Sequence, residues 1–446
     1  MKDKKTTVFI LIILVLITIL VGLWFLIIND DKNSNMKGGK KEDFQRGFNS
    51  KVTYSSKKEI NSSENIEEGT YTADGADENA ILINGKITSN ISNITVNKTG
   101  DSDGGDNTSF YGTNSALIAK GGANVTIENV TINTNAIGAN GVFSYGGSAT
   151  TNNSSSDNTT INISNSTITT SKDNSGGIMT TGGGIMYATN LNITTAGTSS
   201  AAIRSDRGGG TVIVDGGNYK TTGKGSPSIY STADITVRNA KLIATSSEGV
   251  VIEGKNSVIL ENTTLEDTNN TLNGKSSTYK NIFLYQSMSG DAADGVSMFT
   301  AKNSTIITNQ GDSFYVTNTT ATINLEKNKI INNDKNGNFL RIQKDSWGNS
   351  GNNGGIVTLN LTDQEANGNI IVDSISKLTM NLTSNSIFTG AINTSNDGDV
   401  ILTLDKTSSI TLTGDSYIKS LTNADTTNSN INLNGYKLYI DGNLLK

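Results

Sequence analysis

From Ser115 to about Gly390 the hydrophobic and polar positions repeat one local design: a short apolar strand, a Gly/Asn/Ser turn, then a Val/Ile/Thr strand that closes on Asn-X-Thr or a relative of it. Strand openers align as Ala116-Leu117-Ile118-Ala119, Gly141-Val142-Phe143-Ser144, Gly177-Ile178-Met179-Thr180, Ala202-Ile203-Arg204-Ser205, Ser228-Ile229-Tyr230-Ser231, Gly249-Val250-Val251-Ile252, Ile282-Phe283-Leu284-Tyr285 and Ser313-Phe314-Tyr315-Val316. Second strands recur at Ile161-Asn162-Ile163, Val212-Ile213-Val214, Ile235-Thr236-Val237 and Ile323-Asn324-Leu325. No long segment of helical period competes. Repeats of this length that cannot bury an apolar face alone stack into a solenoid, here of about a dozen coils. At roughly 4.8 Å per stacked strand, the rod measures about 60 Å.

Alternation predicts which side chains face in. It places Leu117, Val142, Ile178, Ile203, Ile229, Val251 and Leu284 inside, and an outward row of Ile118, Phe143, Met179, Arg204, Tyr230, Ile252, Tyr285 and Val316. Lys120, Tyr145, Thr181, Asp206 and Thr232 form a second outward row, and Ala119, Ser144, Thr180, Ser205 and Ser231 an inward ladder of small side chains. Glu253 falls in that inward ladder, where a lone charge is costly, so either the register shifts there or Lys255 or Lys302 reaches it. Longer polar inserts at 100–112, 146–158, 268–280, 287–296 and 345–355 leave the coils as loops, and the repeats shorten after about Asn369 toward a closing edge near Ile440.

The first 68 residues follow other rules. From Val8 to Ile28 every residue except Thr18 and Gly22 is strongly apolar, long enough as a helix to span the roughly 30 Å hydrocarbon core. Lys2, Lys4 and Lys5 precede it, so residues 1–7 stay cytoplasmic and the remainder is extracellular. The end of the run lacks a small-X-small cleavage site, which favours an uncleaved signal anchor over a signal peptide. Residues 29–68, rich in Lys, Asp, Glu, Asn and Ser, read as a disordered tether. The expected organisation is therefore a transmembrane helix at 8–28, a linker at 29–68 and an all-β parallel β-helix at 69–443, on a single-pass protein of the cell membrane.

Composition narrows the chemistry. The chain has no Cys and no His, which removes disulfides, thiolate and imidazole metal sites, and every Ser-His or Cys-His nucleophile pair. A net charge of -6 without a basic cluster in the folded region speaks against a nucleic-acid partner. Forty-seven Gly and a single proline, Pro227, suit strands that turn often.

The repeat form resembles the right-handed parallel β-helix superfamily, which includes pectin lyases and adhesin-like bacterial surface proteins, over roughly residues 80 to 443. That resemblance implies a right-handed coil and function on a face or in a side loop. Of the two kinds of relative, the adhesin-like character matches the anchor and tether better. Pectate lyases use a lysine or arginine base near calcium held by several carboxylates, and polygalacturonases a Gly-His-Gly motif. This chain has no histidine, and Arg341-Ile342-Gln343-Lys344 matches the polygalacturonase Arg-Ile-Lys only loosely.

Three constellations are candidate sites. Phe143, Tyr145, Arg204, Tyr230 and Tyr285 form an aromatic stripe edged by polar groups, a platform for stacking on sugar rings; the alternative is that flanking loops cover it. Arg204, Asp206 and Arg207 beside Gly208-Gly209-Gly210 are the densest charge cluster, in which bidentate arginines would clamp a uronate, or in an enzyme would be the catalytic groups. The alternative there is a local salt bridge. Neighbours of Asp206 in adjacent coils are Thr181 and Thr232, so the repeat supplies no second carboxylate. Asp101, Asp103 and Asp106 offer alternate oxygens to a hard cation such as calcium, or form an ordinary polar loop; no other cofactor is indicated. The leading expectation is a non-enzymatic protein of adhesion or polysaccharide binding, displayed on a Gram-positive bacterial surface with a cell-surface glycan as partner. A polysaccharide lyase or glycoside hydrolase of uronate-rich polymers, and a structural surface spacer, are the alternatives.

Overall fold

A turn asparagine sets the shape of each coil. Asn129, Asn165, Asn239, Asn262 and Asn303 all take left-handed backbone angles, with φ between 49° and 55°, at the bend between two consecutive strands. Asparagine tolerates this region better than other side-chain-bearing residues. The recurrent Asn-X-Thr thus marks a corner: Asn turns the chain and the following β-branched residue restarts a strand. Neighbouring corners bond to one another, as where Asn239 Nδ2 donates to Asp215 Oδ1 at 2.7 Å.

The computed structural model describes residues 52–102, 105–148 and 156–445. The apolar run 8–28 and residues 29–51 of the segment after it lie outside the described residues; among those described, no helix is long and apolar enough to cross a membrane. Strands stack in parallel into a β-helix, and the one antiparallel pairing among the described residues joins Leu438–Ile440 to Asn443–Leu444 at the end of the chain. One face is a 12-stranded sheet whose neighbours are always one coil apart. A 21-stranded sheet wraps the other sides, and its long strands Gly184–Thr195 and Gly210–Thr221 run without a break through both of its ladders. Two smaller sheets, of four and three strands, complete the C-terminal coils.

The solenoid starts earlier than residue 69. Ser55–Ile60 pairs with Glu78–Asn84 as the first strand of the 12-stranded sheet, and Ile60 is fully buried. Alternation over Lys57 to Ile60 is masked by the surrounding charge, so composition alone extends the tether too far.

Inside the coil, Ile178, Ile203, Ile229, Val250, Ile282, Phe314 and Leu340 stack in one inward row. The small inward ladder of Ala119, Ser144, Thr180, Ser205 and Ser231 is also present and fully buried, and it continues as Ile252, Leu284, Val316 and Ile342. Here the expected register needs correcting. Arg204 pairs with Tyr230, then Val251, Phe283 and Tyr315, so Val251 faces out while Ile252 and Val316 face in. Glu253 also faces out, beside Tyr285. A one-residue slip exchanges the faces of a whole strand. In Val250-Val251-Ile252 both faces are covered, so the apolar run has no alternation to read.

Candidate functional site

Three inserts fold back over the outer face of the 12-stranded sheet and make two covers. The first carries the helix Asp106–Tyr111. Its end is fixed by Thr181 Oγ1, which donates to the Phe110 carbonyl at 2.7 Å, and by Tyr54 Oη, which donates to the Tyr111 carbonyl at 2.8 Å. It roofs Ile118, Phe143 and Met179, all 0% exposed. Gly112 follows at φ 71°, and a Cβ there would sit 2.8 Å from the Phe143 ring, so only glycine lets the roof descend this far. Phe143 therefore presents no face to a ligand, and Tyr145 packs edge-on against Tyr111 with centroids 5.7 Å apart. Loop cover, the alternative open at the aromatic stripe, is what the N-terminal half of that stripe has.

The second cover lies over the later coils. Trp347 packs against Phe283 and Tyr285 at centroid distances of 5.4 and 5.2 Å, and the insert around Ser287 and Asp291 closes beside them. Between the two covers the face stays open as a cleft of about 350 Å³. Arg204, Asp206, Tyr230 and Tyr285 lie on its floor; Ser109 and Phe110 form one wall and Asp291 the other, with Pro227 and Asn273 at the edge.

Arg204 is held on three sides. Its Nη2 donates to Asp206 Oδ2 at 2.9 Å and to Ser109 Oγ at 3.2 Å, and its Nη1 to the Ser199 carbonyl at 3.3 Å. The pair is 11% and 8% exposed, a buried ion pair rather than a surface one. Asp206 Oδ1 accepts the Arg207 N–H at 3.0 Å. Burial pushes the Asp206 carboxyl up to about 6; Arg204 opposes the rise and the Asp291 charge adds to it. Arg207 turns away from Asp206, donating to Asp291 Oδ1 from Nη2 at 2.7 Å and Nε at 3.2 Å, and its guanidinium lies 4.0 Å from the Phe110 ring centroid.

Glu253 completes the floor. Only 1% exposed, it accepts from Tyr230 Oη at 2.5 Å and Tyr285 Oη at 3.0 Å on one oxygen, and from the Ser287 hydroxyl on the other. Burial and the Glu253 charge raise both phenols well above their usual range. These donors locate Tyr230 and Tyr285 as braced hydroxyls on the floor rather than free stacking rings.

Arg204, Asp206, Tyr230 and Tyr285 thus come together at one cleft, with Arg207 in its wall, while Phe143 and Tyr145 lie under the helix. Asp106 opens that helix at the cleft margin, and Asp101 Oδ1 instead accepts the Ile137 N–H at 2.8 Å. Asp103 lies outside the described residues, among which no three acidic groups are placed to hold a metal ion. Sequence reasoning missed Glu253 as a floor residue, and Asp291 altogether. Starting alternation at Val250 would have turned Glu253 outward; Asp291 sits in an insert with no periodicity to read. The coil itself supplies no second carboxylate beside Asp206, as expected from Thr181 and Thr232, but a loop 84 residues downstream of Arg207 brings Asp291 into the cleft lining, where its charge raises the Asp206 carboxyl. Compared with family models, with curated proteins and with solved structures, the chain matches none.

Proposed function

We propose that this chain is a carbohydrate-binding protein of the cell surface, acting in adhesion or polysaccharide capture without catalysis, with the Arg204–Asp206–Tyr230 cleft as its binding site. The observation that carries the reading is the cleft itself. Its volume of about 350 Å³ suits one or two sugar residues, within the roughly 300–1,000 Å³ of small-ligand sites. Its surface is rich in hydroxyl, amide and charged groups, and its floor is rigid because each of Arg204, Asp206 and Glu253 is bonded from several sides. The apolar run 8–28 and the adhesin-like repeat form support display outside the membrane. A glycan array probed with the full-length chain in detergent tests this: binding that is lost when Ser109→Tyr fills the cleft supports it, and binding unchanged by that filling removes the site.

One observation favours hydrolysis or elimination as a second reading. A carboxyl held near 6 beside the second carboxylate of Asp291 has the protonation of a general acid in weakly acidic solution. New reducing or unsaturated ends from a uronate polymer, absent with Asp206→Asn, would establish it.

A further inference from the structure

We propose that the cleft recognises a glycan carrying free ammonium groups, a de-N-acetylated hexosamine polymer, rather than the uronate its arginines suggest. This rests on the carbohydrate-binding reading and names the class of sugar.

The charges that face the cavity are mainly negative. Three carboxylates, Asp106, Asp206 and Asp291, line it against one guanidinium, Arg204. Arg207 stands just behind the wall, already spanning Asp291 with two N–H groups and stacked on Phe110. Neither guanidinium is available as an anion clamp. For Arg204 to receive a uronate it would have to release Asp206, leaving that carboxylate buried without its partner. An ammonium group requires no such exchange. Asp106 is exposed at the margin and the Asp291 side chain is 24% exposed, so both present oxygens to the cavity while keeping their existing bonds.

The site also excludes the simplest competitor for acidic groups. Among the described residues no three carboxylates are placed around a point where a metal ion could sit. A larger cation, with its charge at one end and hydroxyls elsewhere, fits a cavity whose acids are joined in the lining by the polar groups of Ser109, Asn174, Ser199 and Asn273. Occupancy by a cation would favour the ionised form of Asp206, which faces Arg204, the Arg207 N–H, Asp291 and Tyr230. Binding is then coupled to release of a proton.

Calorimetric titration of the full-length chain tests this, using a β-1,4-glucosamine tetramer, its fully N-acetylated counterpart and tetragalacturonate, each at pH 4.5 and pH 5.5. The glucosamine tetramer binds about tenfold or more tighter than the acetylated one, an interval of about 1.4 kcal/mol. Its affinity rises from pH 4.5 to 5.5 as the ionised fraction of Asp206 grows while the amine stays protonated, and Asp106→Asn, an exposed change that leaves the floor intact, weakens it severalfold. Equal binding of the acetylated tetramer, or tighter binding of tetragalacturonate, overturns the amine assignment and leaves carbohydrate binding standing. If none of the three binds and the glycan array is silent too, the underlying reading fails and this inference with it.

Discussion

Arg204 Nη2 donates to Ser109 Oγ at 3.2 Å, a contact between residues 95 positions apart that joins the roof helix to the floor of the cleft. One guanidinium therefore bonds a strand-end carboxylate, a turn carbonyl and an insert hydroxyl together. Shape and charge of the cleft depend on the insert docking as much as on the coil.

Glu253→Ala leaves the Tyr230 and Tyr285 hydroxyls buried with no acceptor in place of the carboxylate. Each lost acceptor costs about 1–3 kcal/mol, so we expect a fall of about 2–5 kcal/mol in unfolding free energy. Tyr230→Phe in the Glu253→Ala background should cost less than Tyr230→Phe alone. Denaturant titration of the four proteins in this double-mutant cycle checks it, and additive losses would mean the residues act independently.

Asp206 makes stability fall as pH rises. Its folded pKa of about 6 lies above the ordinary 3.8, so between those values the folded state holds more protons than the unfolded state. By linkage its contribution is fully present below about pH 4 and lost as pH passes 6, a change of about 3 kcal/mol. Urea unfolding at pH 4.5 and pH 7 should show this decline in the wild type, superimposed on that of other groups, and a smaller one in Asp206→Asn. Identical pH dependence in both would place the Asp206 titration elsewhere.

Phe143→Ala should act on stability before it acts on binding. The ring is wholly buried under the helix Asp106–Tyr111, and truncating a buried phenylalanine costs about 3–5 kcal/mol. Thermal unfolding should shift downward, while ligand affinity measured below the transition stays within about twofold if the roof keeps its place. Selective loss of binding at unchanged melting temperature would mean that the ring touches ligand.

Asn262 takes φ 50° at a coil corner. Replacement by alanine puts a Cβ without a compensating polar group in the left-handed region, at about 1–2 kcal/mol. Glycine pays no such strain and should sit closer to the wild type. Chemical denaturation ranks the three; equal stability of the alanine and glycine variants would contradict the corner role.

Legibility differed between coil and cleft for a physical reason visible in particular residues. Where one face of a strand is polar, as at Ile161-Asn162-Ile163 and Ile235-Thr236-Val237, alternation names the inward side chains correctly. Where inserts cover the outer face, as at Val250-Val251-Ile252 and Ile282-Phe283-Leu284, both sides are apolar and the period disappears. The register slip arose there, and it displaced Glu253 from floor to core. Arg204, Asp206, Tyr230 and Tyr285 were recognisable because polar or aromatic side chains interrupt an apolar opener.

The amino-acid order alone carried the parallel β-helix, its asparagine corners, most of its inward rows and the composition that removes thiol and imidazole chemistry. These are consequences of contacts between chemically similar neighbours one coil apart, which a repeat writes into the chain. Tertiary structure decided which outward residues remain accessible, that Arg207 reaches Asp291 instead of Asp206, and that three hydroxyls converge on Glu253. Those contacts bridge 23 to 95 positions through aperiodic inserts, and without a period to constrain it the path of a loop is known only once it has docked.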